Sequence, residues 1–348
     1  MSAQIIANQN SAVTHRWSVS FHWLLWLYSI IPLCLTIQLL DVWLWQGNLK
    51  QSLPSSPTHF LLFQILFGTP HIIASSLLIL SNADYVKCYQ KKILLMTAIV
   101  AVIFGVGSLF LPYWFFYVGV ATWTVIHVLK QQHGIARGVC RLPNWIYQCL
   151  LWTSVAAGIC IYIGVFLKNS LTVQQAEWLK HSAGSLCIAL VLAAFWFQRQ
   201  VETALGKCFL WANVLLVIVS FYFYTLQYYF LAILAPRLVH DVTAYTFYVT
   251  HDYNKHQPKP QNALYRYATL CRIPMIAVLP LLSFALAFLL QAYGDIAVAE
   301  LTRYLFGIEI HKVITIGLLG YLALLHYYTE GFIWKQDSPC RRFIRFTQ

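Results

Sequence analysis

The chain has 348 residues, 59% of them hydrophobic and only 10% charged, whereas a soluble domain carries roughly a quarter charged residues. That composition excludes an ordinary water-covered surface. The formal charge of +12 comes from 23 basic and 11 acidic residues; the basic ones form short clusters between apolar runs, which fits membrane orientation and excludes the single basic face that nucleic acid would need.

A membrane-spanning helix needs about 20 mostly apolar residues, because lipid offers no partner for backbone N–H and C=O groups. Ten such stretches follow one another at 17–40, 60–81, 91–111, 113–130, 145–167, 181–198, 208–225, 227–250, 272–293 and 310–334. The first, from Trp17 to Leu40, is too long for a signal-peptide core and lacks a small-residue cleavage pattern after it, so it is expected to remain as a span. The eighth is the most polar, interrupted by Pro236, Arg237, His240 and Asp241. The expected fold is therefore all-α: one polytopic transmembrane bundle of about ten spans covering residues 1–348. Its N- and C-termini are expected to be cytoplasmic, in the cell's inner or plasma membrane. With that orientation, seventeen of the 23 basic residues, from Arg16 to Arg345, lie on the cytoplasmic side, as the positive-inside rule requires. A nine-span alternative would strand the last two basic clusters outside.

The nine cysteines are odd in number and include no CxxC pair. Several, among them Cys34, Cys149, Cys160 and Cys187, fall in apolar segments and read as small buried side chains.

Ionisable residues inside spans are costly and mark function. Here His71 falls in span two, His127 and His133 in or just after span four, His240 and His251 in or beside span eight, and His326 in span ten. All are expected toward the cytoplasmic half. The pairs His240-Asp241 and His251-Asp252 recur after eleven residues and share a face, but at 1.5 Å per residue they stand about 16 Å apart. They must serve different layers unless the helix breaks between them. His326 and Glu330 are spaced i, i+4, so two side chains can meet one ion; Asp252 and His256 repeat that spacing. For His127 and His133 to converge, the helix would have to end near Gly134. His71 follows Pro70, which should kink its helix. Tyr245, Tyr248, Tyr327 and Tyr328 sit beside these candidates as hydrogen-bonding partners. His22, His59, His181 and His311, at span ends, read as interfacial. Asp252, His256 and Glu330 read equally well as solvated at the cytoplasmic edge, and Arg237 as a cap of span seven or a snorkelling side chain.

Imidazoles with carboxylates suit iron, zinc or copper better than magnesium or calcium. The arrangement resembles that of the histidine-rich integral-membrane non-haem iron enzymes: the lipid desaturases and hydroxylases and the Brp/Blh-type carotene-cleaving oxygenases. The closely spaced HxxxH and HxxHH boxes of the desaturases are absent, since His127 and His133 are six apart and His251 and His256 five. The resemblance thus implies a metal-dependent oxidation of a lipophilic molecule at the inner leaflet and no particular substrate.

The expected function is an oxidoreductase with one or two iron ions, zinc or haem being the alternatives. His71, His127, His133, His240, His251 and His326 are its candidate ligands. Asp241, Tyr245, Tyr248 and Glu330 are its candidate catalytic groups. Its partners would be membrane lipids, a lipophilic small-molecule substrate and an electron-donor protein. A proton or metal-ion transporter using the same groups as a pathway, and a haem-binding electron carrier, are the competing readings.

Overall fold

The computed structural model describes residues 17–257, 259–335 and 337–347, so Arg16 lies outside the described residues. In chain order the principal helices are α1 (Phe21–Trp43), α2 (Leu61–Leu80), α3 (Ala83–Leu109), α4 (Tyr113–Cys140), α5 (Asn144–Phe166), α6 (Val173–Gln200), α7 (Ala204–Thr225), α8 (Tyr229–His256), α9 (Ala263–Leu270), α10 (Met275–Phe306) and α11 (313–333). Seven of these, α1, α2, α3, α5, α6, α7 and α10, are long and apolar enough to cross a membrane. Their outer faces carry large apolar side chains, such as Leu192, Phe195 and Trp196 on α6.

The other long helices, α4, α8 and α11, are the ones that carry His127, His240 and His326. At 28 residues, α4 and α8 are each about 42 Å long. Their polar content does not keep them out of the bundle, because it faces other helices. Twenty of the 28 residues of α8 are buried, and α8 packs against α1, α2, α4, α7 and α10.

The expected interruption at Pro236 does not occur: α8 runs through it. Proline has no N–H to give to the carbonyl four residues back, that of Ala232. Ser220 on α7 supplies the missing donor, its Oγ lying 2.6 Å from that oxygen. Ahead of Pro70, α2 instead widens into a π turn at Gln64–Gly68.

Two helices begin or end elsewhere than the apolar runs indicated. The third span, expected from 91, starts earlier, so that Lys87 lies on α3 with Lys91 and Lys92, and α10 continues through a further π turn to Phe306. Cys149, expected to be buried, is exposed, while Cys34 and Cys187 are buried and Cys160 partly so.

The two ends of the described chain meet at one end of the bundle. Val19–Ser20 pairs in parallel with Phe346–Thr347. Beneath this pair, Asn254 near the end of α8 accepts from the Trp17 N–H and donates to the carbonyls of Trp17 and Phe343.

Candidate metal centre

His71, His127, His240 and His326 come from α2, α4, α8 and α11, each near the middle of its helix, and all four are buried. Ring centroids lie 4.6 Å apart for His127 and His240, 4.9 Å for His127 and His326, 5.0 Å for His71 and His326, and 5.6 Å for His71 and His240. Ligand atoms fall into two groups, each within 4.8 Å: His127, His240, His326 and Glu330, and His71, His240 and Asp241. His240 is common to both.

Hydrogen bonds fix two of the tautomers. His71 Nδ1 lies 3.0 Å from the carbonyl of Phe67, one turn earlier. A carbonyl only accepts, so Nδ1 carries the proton and the Nε2 lone pair points inward. That lone pair faces Asp241 Oδ1 at 3.5 Å. The Tyr248 hydroxyl donates to Glu330 Oε1 in a short bond and lies 3.2 Å from His326 Nδ1. Having given away its one proton, it accepts from His326 Nδ1–H, and the Nε2 lone pair of His326 is directed at the cluster. Trp334 Nε1 donates to the same carboxylate oxygen at 3.0 Å, leaving Glu330 Oε2 free to face His127 Nε2 at 3.4 Å. Outer hydrogen bonds of this kind orient metal-binding imidazoles.

These residues fit a metal ion. Two lone-pair acceptors, His71 Nε2 and Asp241 Oδ1, face each other without a donor between them. Neither ring nitrogen of His240 and neither oxygen of Asp241 has a hydrogen-bond partner among the described residues. Buried polar groups left in this way cost about 1–3 kcal/mol each, and a cation removes that penalty by accepting their lone pairs. The separation of His127 Nε2 and His326 Nε2 is 3.2 Å. A tetrahedron with bonds of about 2.05 Å has edges of about 3.3 Å, close to this spacing. Charge points the same way: Asp241 and Glu330 are opposed inside the bundle by one guanidinium, that of Arg237, 3.8 Å from Asp241 Oδ2. Arg237 is thus buried beside the site and neither caps α7 nor snorkels.

Several expected members stand apart. His133 bonds Ser154 Oγ on α5 at 3.0 Å, because α4 continues past Gly134 to Cys140 and six residues separate the two imidazoles by well over a helical turn. His251 Nε2 bonds the Tyr85 hydroxyl at 2.8 Å, and its ring packs against Phe343. Since α8 is unbroken, the His251-Asp252 pair occupies a separate layer nearer the end of the bundle. Tyr245 bonds Ser283 Oγ at 2.9 Å on α10 and touches no imidazole of the cluster. Of the four tyrosines, Tyr248 and Tyr327 make those contacts, the Tyr327 ring lying 4.5 Å from that of His127, while Tyr328 packs on Phe332.

The edge residues also differ from a solvated reading. Asp252, Lys255 and His256 are buried. His256 stacks on Tyr265 of α9 at 4.0 Å, and its Nε2 lies 3.5 Å from Asp252; Lys255 pairs with Asp84 at 2.9 Å. His22, His59, His181 and His311 are exposed, as interfacial residues should be. Phe67 and Trp334 are the positioning partners that the sequence reading overlooked. Both lie i, i+4 from a candidate, a spacing that could have flagged them.

A cleft of about 760 Å³ leads from His127 and Glu330 along α4 and α11 toward the end of the bundle where the chain ends meet. No family model, curated protein or solved structure matches the chain, so its assignment rests on the geometry of this site.

Proposed function

We propose that the protein is an integral membrane oxidoreductase of ten spans that uses one or two transition-metal ions, iron first, on a lipophilic substrate. The observation that carries this reading is that His71 Nε2 and Asp241 Oδ1, two acceptors, face each other at 3.5 Å with no donor between them, beside a His240 whose ring nitrogens have no hydrogen-bond partner among the described residues. Ten spans rather than seven are supported by the meeting of the chain ends, since an odd number of crossings would leave them on opposite sides. The positive-inside rule makes that side cytoplasmic.

His127, His240, His326 and Glu330 would hold one ion, and His71, His240 and Asp241 the other position. When bound, iron in such a site supplies redox chemistry with dioxygen, which suits attack on an unactivated hydrocarbon. The chain's own residues bind, orient and exclude water. Tyr248 holds His326 in the tautomer that presents Nε2 and fixes the Glu330 carboxylate together with Trp334. Phe67 does the same for His71. The Tyr327 and His127 rings form the boundary between cluster and cleft, so a molecule in the cleft meets the site from the Glu330 side.

The spacing of 3.2 Å between His127 and His326 nitrogens favours single ions over haem, whose two axial imidazoles stand on opposite faces of a flat ring. A carrier of protons or metal ions needs access from both membrane faces, and the cleft gives access from one.

Metal analysis of protein purified in mild detergent tests the proposal, with one or two ions expected per chain. Less than about a tenth of an atom of any transition metal, with activity on a lipophilic substrate intact, would remove it.

A further inference from the structure

The cleft is apolar at depth and cationic at its mouth. Trp123 and Tyr327 wall the inner part beside His127, while Arg137, Lys335 and Arg341 line it toward the chain ends, with Lys130 one turn from His127 and Phe247 packed on Phe346. Lys130 and Arg137 lie on the α4 face that begins with His127, at +3 and +10, so Arg137 stands about 15 Å along the helix from the cluster. Lys130, Arg137 and Lys335 are exposed and Arg341 partly so, and none of the four forms an ion pair with a described carboxylate.

Both guanidinium groups are held against aromatic rings, Arg137 over Tyr147 at 5.1 Å and Arg341 over Phe346 at 4.8 Å. One Nη of Arg341 donates to the Ile344 carbonyl. Such planes retain further donors in a fixed fork suited to carboxylate or phosphate oxygens. Gly134 and Gly331 line the cleft between Arg137 and the cluster and Gly138 lies beside Arg137, and a Cβ at any of the three would meet no atom within 4 Å. Two helices thus leave a slot open along the line from cations to imidazoles.

We infer that this cleft binds a long-chain amphiphile with an anionic head, a carboxylate or a phosphate monoester. Lys130, Arg137, Lys335 and Arg341 hold the head, and the alkyl chain runs past Gly134 and Gly331 to His127 and Glu330. The inference rests on the reading of the imidazole cluster as the reacting end. A neutral hydrocarbon would fill the slot and leave the four cations without a counter-charge. A soluble anion would answer them and leave the apolar slot empty. An extended chain covers the distance from Arg137 to His127 with about a dozen carbons, so the carbons nearest the cluster are mid-chain ones.

The test is equilibrium binding of radiolabelled hexadecanoate to the full chain in non-ionic detergent, with and without prior chelator treatment. Hexadecanoate should bind at least tenfold more tightly than hexadecanol, and hexadecyltrimethylammonium should not compete. Arg137→Gln with Arg341→Gln should weaken hexadecanoate at least tenfold and leave hexadecanol unchanged, with Arg137→Lys restoring part of the loss. Gly134→Phe, which fills open space in the slot and keeps all four cations, should weaken both. Hexadecyl phosphate competing where inorganic phosphate does not supports a lipid source. Inorganic phosphate competing equally well, or hexadecanol binding as tightly as hexadecanoate, overturns the inference. If no metal binds, the metal reading fails, and head-group selectivity is still scored on the chelator-treated protein.

Discussion

Replacing Tyr248 by phenylalanine removes one oxygen and keeps the ring, which lies 5.6 Å from that of Trp334. Two hydrogen bonds go with it. His326 Nδ1–H loses its acceptor, and Glu330 Oε1 keeps only the Trp334 indole as donor. His326 can then rotate or change tautomer, and its Nε2 lone pair is no longer held toward His127. Loss of such an outer partner costs about 10–100-fold in metal affinity, or roughly 1.4–2.8 kcal/mol. The assay is competition with a calibrated chelator in detergent, read as metal retained per chain. Tyr245→Phe is the matched control, since its hydroxyl bonds Ser283 and not an imidazole. Equal metal affinity in Tyr248→Phe and the parent protein would refute the tautomer argument, and with it the assignment of His326 as an inward-facing ligand.

Further outcomes follow from the same geometry. His240→Ala, which removes the residue shared by both groups, should lower bound metal at least tenfold by elemental analysis, whereas His133→Ala and His251→Ala should leave metal content unchanged. Stripping the metal should lower the melting temperature, and restoring free ion to 1,000 times its dissociation constant should return about 4 kcal/mol of stability. Ser220→Ala leaves the Ala232 carbonyl without a donor and should cost about 1–3 kcal/mol in reversible unfolding, with metal content intact. Gly158→Ala should destabilise by about 1–3 kcal/mol, because its Cβ would sit 2.8 Å from Val125 Cγ1 where α4 and α5 approach closely.

Residue order alone conveyed the class of fold, because apolar runs of some 20 residues have few alternatives to a helix in lipid, and the polarity of α8 marked it as a carrier of candidate ligands. It also gave the layer argument: eleven residues of unbroken helix separate His240 from His251 whatever surrounds them. The i, i+4 pairing of His326 with Glu330 was legible for the same reason, since one helix determines it. Which imidazoles meet was not legible, because His71, His127, His240 and His326 come together only through the packing of four helices distant in sequence. His133 illustrates the limit. Its nearness to His127 along the chain implied a shared site, but α4 continues and turns it to Ser154 on α5. Pro236 looked like a break until a serine on another helix supplied its missing donor. The tertiary structure decided the site because a lone pair's direction depends on the partner behind the ring, and those partners, Tyr248 for His326 and Ser154 for His133, lie on other helices.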